Sequence, residues 1–327
     1  MDGIFALAAA NLVSPVILSF ALGLLAALAR SDLSVPEAAA KALSIYLLFA
    51  IGFKGGAAVA ESGFGGTLAL GLLAGVVLSF AIPLVAFALL RVISRLSVID
   101  AAALAAHYGS ISIVTFVAAT AALQSQGIAY EGWMVAVAAA MEAPAILSAL
   151  WLVARKGGAA EQEEGLMREV LLNGSIVLLV GSFLIGVATG AEGLAKIESF
   201  IVAPFTGVLC LFLLDMGLIA GRGLREMRRG GPVSPALIGF GLLMPLLGGA
   251  AGLASALLIG LSPGGAALMT TLAASASYIA VPAAMRVALP EANPSVYLTL
   301  SLGVTFPFNL TVGIPLYIAA AVALAGG

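Results

Sequence analysis

Long apolar runs separated by short polar breaks dominate this chain. They lie near 5–29, 36–60, 66–90, 100–123 and 131–154, and again near 170–190, 199–221, 233–259, 264–288 and 295–323. Apolar runs of roughly 20 residues match the hydrocarbon core of a bilayer, so each predicts a transmembrane helix. The breaks carry turn and cap chemistry, as at Ser34-Val35-Pro36, Ser262-Pro263-Gly264-Gly265 and Asn293-Pro294-Ser295. The pattern predicts an all-α membrane protein of ten transmembrane helices in two sets of five. Residues 1–154 form the first set, 155–169 a charged cytoplasmic link, and 170–327 the second set.

The two sets repeat one another. Residues 104–119, LAAHYGSISIVTFVAA, return at a shift of 165 as 269–284, MTTLAASASYIAVPAA, with Ser110 and Ser112 in register with Ser275 and Ser277. Ile51-Gly52-Phe53-Lys54-Gly55-Gly56 matches Met216-Gly217-Leu218-Ile219-Ala220-Gly221 at the same shift. Glu142-Ala143-Pro144 and Pro307-Phe308-Asn309 occupy similar places near the ends of the halves. Five spans is an odd number, so two copies must insert in opposite orientations. That is the inverted-repeat plan of secondary transporters.

Charge supports the count. Of the 14 Lys and Arg residues, 12 fall in or beside the odd-numbered links, and only Lys54 and Lys196 fall on the other side. Positive residues collect in the cytoplasm, so both termini are expected outside. Composition narrows the class: 62% of residues are hydrophobic and 9% are charged, too few charges for a soluble surface of this size. Abundant glycine, 39 residues, favours close helix packing in lipid, and no alternating strands suggest a barrel. Net charge is −2 with no basic tract, which argues against nucleic acid. Cys210 is the single cysteine, so no internal disulfide forms; it reads as a packing residue. The MDGIF start has no basic region of a cleavable signal peptide. One His and one Cys cannot make a zinc set, and no nucleophile–base pair is readable, so an enzyme is not expected.

The paired serine segments are the candidate site. Gly109 and the serines weaken helix in span 4, and Pro282 removes an amide in span 9. Two broken helices facing each other would offer N–H groups and helix-start dipoles to an anion. Gly109, Ser110, Ser112, Ser275, Ala276 and Ser277 are therefore the substrate-binding candidates. A single such segment reads better as close-packing serines; the matched pair favours a site. Glu142 and Asp215 are carboxylates at membrane depth, each costing about 2.5–3.5 kcal/mol on insertion scales, so each needs a partner or a task. Pro144 frees the carbonyl of Ala140 beside Glu142, a combination suited to Na⁺. Pro307 does the same for Gly303 near Thr305 and Asn309. The sodium candidates are Ser110, Thr115, Glu142, Thr305 and Asn309. Lys54 and Asp215 are expected to neutralise each other across the repeats as a structural ion pair. His107 reads as a satisfied polar residue, with a proton relay as the rival. Tyr278, Tyr297, Trp133 and Trp151 read as packing or interface anchors.

Three stretches carry a family resemblance: AASASYIAVPAAMRVALPEANPSVYLTLSLGVTFPFNLTVGIPLY at 273–317, Ile51 to Gly56, and YEGWMVAVAAAMEAPAIL at 130–147. They resemble the sodium-dependent bicarbonate transporter family known from cyanobacteria. The resemblance implies a homotrimer in the bacterial inner membrane and Na⁺-coupled bicarbonate uptake. It also implies a core that moves against a scaffold; spans 3–5 and 8–10 are expected to form the elevator-like core, and spans 1–2 and 6–7, with Lys54 and Asp215, the scaffold and trimer contact. Substrate and Na⁺ would meet at the crossing of broken helices, with Glu142 and Asn309 among the sodium ligands. Family members are inhibited by a small trimeric PII-like protein, so such a regulator is a candidate partner. No cofactor is implied beyond Na⁺ as the coupling ion. This chain departs around span 4, where His107, Ile111, Ile113 and Val114 stand among the small residues. A proton-coupled carrier of a small organic acid and a non-transporting membrane sensor are the alternatives.

Overall fold

The computed structural model describes residues 14–63, 65–155, 174–228, 233–278 and 280–326. The described residues are 84% helical and contain no strand, which excludes a barrel among them. The described residues form thirteen helices, in order α1 Pro15–Leu28, α2 Glu37–Ser62, α3 Gly66–Ile93, α4 Val98–Gly109, α5 Ile113–Ser125, α6 Met134–Ala140 and α7 Glu142–Arg155. Then come α8 Gly174–Ile201, α9 Phe205–Arg228, α10 Pro235–Ile259, α11 Pro263–Ala274, α12 Ala280–Ala288 and α13 Pro294–Ala325. Among the described residues, eight helical stretches are long and apolar enough to cross a membrane. Leu258 and Val92 are 89% and 84% exposed, and many other large apolar side chains also point outward. Water would not tolerate that surface, whereas lipid matches it. The protein is a multi-pass membrane protein.

Sequence sets the helix starts. Ser14-Pro15, Ser234-Pro235 and Ser262-Pro263 each place an N-capping hydroxyl before a proline at the first helical position. Serine accepts from an otherwise unpaired first-turn amide, and proline has no amide to satisfy there. Ser97 and Ser262, 165 residues apart, cap α4 and α11 by the same bond, to Asp100 N at 2.9 Å and to Gly265 N at 3.1 Å.

Predicted spans 4 and 9 are each broken in two, as α4–α5 and α11–α12. The predicted run 264–288 is therefore two short helices of 12 and 9 residues, and the described part of the run 5–29 is the 14-residue α1. The predicted link between spans 6 and 7 is corrected: residues 191–201 are helical and continue α8 past a turn at Gly190, whose φ is 58°. The reason is local: this stretch contains Ala, Leu, Lys and Glu, good helix formers, and Lys196 bonds Glu192 one turn back. Most of the charged link lies outside the described residues.

Packing sorts the helices. α8 lies along α2 and α9 along α1, each pair with glycines at the crossing. A Cβ on Gly23 would strike the carbonyl of Leu214, and one on Gly217 that of Phe20; Gly56 and Gly186 stand in the same relation across α2 and α8. α3 packs on α4, α10 on α11, and α3 touches α10. Residues 101–120 of the α4–α5 stretch are all buried, so this part forms the middle of the bundle. Gly109 makes its place possible, because a Cβ there would meet Pro83 and the Ser79 carbonyl of α3. In the other half the accommodating glycine is Gly248 of α10, which faces the carbonyl of Ala273.

Candidate functional site

The two helix breaks lie against each other. α4 ends at Gly109, and Ser110 and Ser112 are extended before α5 begins. α11 ends at Ala274, and Ser275 begins the second break. Ser112 N donates to Ser275 Oγ at 2.9 Å, and Ser275 Oγ donates to the carbonyl of Leu272 at 2.8 Å. Ser277 N donates to the carbonyl of His107 at 2.7 Å. Backbone freed by one break is thus satisfied by the other, as burial in lipid demands. Ser112 also caps α5, accepting from Thr115 N at 3.2 Å and from Thr115 Oγ1 at 2.9 Å. Ser277 Oγ accepts from Val281 N at 3.3 Å at the start of α12.

Beside this crossing is a cavity of about 10 Å³, lined by Ile111, Ser112, Ile113, Glu142, Ser277, Tyr278 and Ala280. The first residues of α5 and α12 both line it, so two helix starts face it. That volume holds roughly one water. Three polar atoms in this region are buried without a hydrogen-bond partner: Ser110 Oγ, Glu142 Oε2 and the Tyr278 hydroxyl. Buried polar groups are nearly always paired, so orphans gathered at one place point to a ligand. Glu142 opens α7 directly after the irregular Met141, whose carbonyl accepts from Ser79 Oγ at 2.5 Å. Hydroxyls and helix starts suit an anion; the carboxylate suits a hard cation.

The expected site residues divide. Ser112 and Ser277 line the cavity; Ser110, Ser275 and Ala276 build the crossing behind it, and Gly109 is the wedge on α3. Thr115 is one bond from the lining, through Ser112. Thr305 and Asn309 sit on the two π-helical turns of α13, Ser301–Thr305 and Asn309–Gly313, and do not line the cavity. Thr305 Oγ1 pairs with the Tyr108 hydroxyl at 2.7 Å and donates to the Gly241 carbonyl at 2.7 Å. Asn309 Nδ2 donates to the Ala274 carbonyl at 2.9 Å, and its Oδ1 accepts from Tyr317 at 2.8 Å. Asn309 therefore ties off the end of α11.

Three expectations are corrected. Lys54 and Asp215 form no ion pair: the single salt bridge among the described residues is Lys196–Glu192, at 2.9 Å. The Lys54 ammonium instead lies 4.0 Å from the centre of the Phe205 ring, a cation–π contact, and Asp215 has Arg222 as its charged neighbour. The two helices turn these residues toward different cavities, one against α5 and α6 and the other between α2, α8 and α9. His107 is only half satisfied: Nδ1 meets the Ala103 carbonyl at 2.6 Å and the ring stacks on Tyr297, but Nε2 is unpartnered. Tyr278, read from sequence as an anchor, is instead part of the site lining. Its place one residue after Ser277, inside a break, was the available signal.

A family model described as the Na⁺-dependent bicarbonate transporter superfamily matches residues 15–322. The chain belongs to that superfamily. It is thus a member of a transporter family, and both helix breaks and Glu142 fall within the matched region. No curated protein matches the chain.

Proposed function

We propose that this superfamily member is a Na⁺-driven symporter that carries bicarbonate, or a similar small monoanion, into the cytoplasm. The carrying observation is the crossing of two helix breaks, where Ser110 Oγ lacks a partner, beside a cavity lined by Glu142 and Tyr278, whose Oε2 and hydroxyl also lack partners. Hydroxyls and helix starts would hold the anion, and the Glu142 carboxylate would hold Na⁺. Each charge lowers the cost of burying the other in a medium of low dielectric. The sodium gradient and membrane potential would drive entry.

The architecture proposed is ten spans in two inverted five-helix repeats. Matched caps at Ser97 and Ser262, matched breaks, and the exchange of partners that packs α1 on α9 and α2 on α8 support it. α1, α2, α8 and α9 would be the scaffold and trimer contact, and the remaining helices the moving core. A cavity of one water volume does not admit bicarbonate, so binding requires the crossing to open. The basic asymmetry supports an inner-membrane orientation with both termini outside.

Uptake of labelled bicarbonate into proteoliposomes tests this, with sodium present or replaced by potassium at fixed pH. Sodium-dependent uptake is the expected result; uptake of no anion under a sodium gradient would end the reading. One observation favours a second reading, a proton-coupled carrier: His107 Nε2 and Glu142 Oε2 are both buried and unpartnered. That carrier would work equally well in potassium and would follow the proton gradient.

A further inference from the structure

Two chambers correspond at the 165-residue shift. Ile51, Ala58 and Ala129 line a chamber of about 310 Å³; Met216, Gly223 and Pro294, each 165 residues later, line one of about 610 Å³. The first holds Lys54 with Thr120, Gln124 and Tyr130 as its polar side chains. The second holds Arg222 with Tyr278, Ser295 and Thr299. Each chamber has one cation, several hydroxyl or amide groups, and no carboxylate among its described lining residues. Asp215, the charged neighbour of Arg222, lines an adjoining cavity shared with α2 and α8; Met216, Ile219 and Arg222 stand on the wall common to both, and the Arg222 guanidinium donates to the Leu33 carbonyl at 3.5 Å.

The cations do not share a register. Position 219, matching Lys54, is isoleucine, and position 57, matching Arg222, is alanine. One positive charge per chamber therefore does not follow from simple duplication of a side chain. Each chamber has acquired its own. The chambers also differ in depth. Tyr278 lines both the larger chamber and the 10 Å³ cavity of the helix breaks, whereas no residue lines both the smaller chamber and that cavity. The Tyr278 hydroxyl is buried and unpartnered on that shared wall.

We propose that the larger chamber is an anion-collecting vestibule, in which Arg222 selects small monoanions and Tyr278 is the barrier between it and the helix-break cavity. The barrier role rests on the transport reading, because it places Tyr278 on the solute path. The charge selection does not.

The test uses full-length protein in oriented vesicles, with Cys210→Ser as background and Thr299→Cys as reporter. Anionic sulfonatoethyl and cationic trimethylammonioethyl thiosulfonates are compared, each rate scaled to its rate with a free thiol. A preference of about tenfold for the anionic reagent is expected, from the face that bears Arg222. Arg222→Gln should bring the two rates near parity, and Arg222→Lys should keep the preference. Parity with Arg222 present, a preference that survives Arg222→Gln, or a reporter unreactive from both faces would overturn the vestibule. For the barrier, Ser277→Cys should react about tenfold faster in Tyr278→Ala than with Tyr278 in place. Unchanged Thr299→Cys labelling in Tyr278→Ala verifies that the chamber keeps its shape. An unmoved Ser277→Cys rate would remove the barrier. If the unaltered protein takes up no bicarbonate while the reagent preference holds, the transport reading falls and the vestibule stands.

Discussion

Ser275 and Ser110 hold equivalent places in the two breaks, yet their hydroxyls differ in what they do. Ser275 Oγ accepts from Ser112 N at 2.9 Å and donates to the Leu272 carbonyl at 2.8 Å. Ser110 Oγ is equally buried and has no partner. Ser275→Ala leaves the Ser112 amide unpaired at the centre of the bundle. The Leu272 carbonyl suffers less, because Ser275 N also donates to it at 3.2 Å. An unsatisfied buried amide costs about 1–3 kcal/mol, which sets the expected loss. Ser110→Ala removes a hydroxyl that is already unsatisfied, so stability should stay within about 0.5 kcal/mol or rise slightly.

The assay is the fraction of monodisperse protein surviving a heating series in detergent, read beside bicarbonate uptake in proteoliposomes. Ser275→Ala should lower the midpoint by several degrees, at about 2–4 °C per kcal/mol for a chain of ordinary domain size. Ser110→Ala should leave the midpoint in place and still abolish uptake. A Ser110→Ala midpoint that falls as far as that of Ser275→Ala would refute the reasoning, because it would mean the Ser110 hydroxyl is bonded within the protein. Normal uptake by Ser110→Ala would show that hydroxyl to be idle in transport.

Glu142→Gln is expected to bring sodium-driven uptake to background without lowering the heating midpoint, because Oε2 supports no internal bond; both numbers come from the same two assays. Gly109→Ala should destabilise by about 1–3 kcal/mol, since its Cβ must enter the space of Pro83 and the Ser79 carbonyl, and the midpoint measures it. Glu131→Ala should cost about 1–3 kcal/mol as well: its carboxylate accepts from Ser262 N at 2.8 Å and Ser262 Oγ at 2.9 Å at the start of α11. Glu131→Gln, which keeps one accepting oxygen, should recover part of that midpoint.

The breaks were legible because they are local. Gly109 and the serine clusters weaken helix where they stand, and Pro282 falls in the first turn of α12, just past its break; Pro307, read as freeing the Gly303 carbonyl, lies between the two π-helical turns of α13, which were not foreseen. The 165-residue register told which segments meet. It did not tell which way each side chain turns on meeting, and that is where the reading of Lys54 and Asp215 went astray. Matching sequence position brings two helices into the same assembly; helix rotation decides whether their charges touch. Glu131 illustrates a further limit. Its bonds to Ser262 span 131 residues and join loops of opposite halves, with no periodic pattern to mark them. Tyr278 was hidden for another reason: an aromatic residue in an apolar run has an ordinary packing role nearly everywhere, and only the cavity on both its sides distinguishes it.

The unequal bonds at the crossing also bear on motion. On the repeat reading, Ser112 N to Ser275 Oγ has as its counterpart Ser277 N to Ser110 Oγ, and Leu272 has His107. The structure takes the first arrangement and not the second, since Ser277 N goes directly to the His107 carbonyl. Exchanging the conformations of the two halves would give Ser110 the bridging task and leave Ser275 free. The same exchange would enlarge the Lys54 chamber at the expense of the Arg222 chamber. Ser110→Ala would then cost nothing in the present state and about 1–3 kcal/mol in the exchanged one, shifting the population toward the open Arg222 chamber. Where the exchanged state is appreciably populated, Thr299→Cys should therefore react faster in Ser110→Ala, and Ser275→Ala should slow it. Movement of both rates in the same direction would mean that the two serines do not exchange roles, and that opening occurs by a displacement that leaves the crossing bonds as they are.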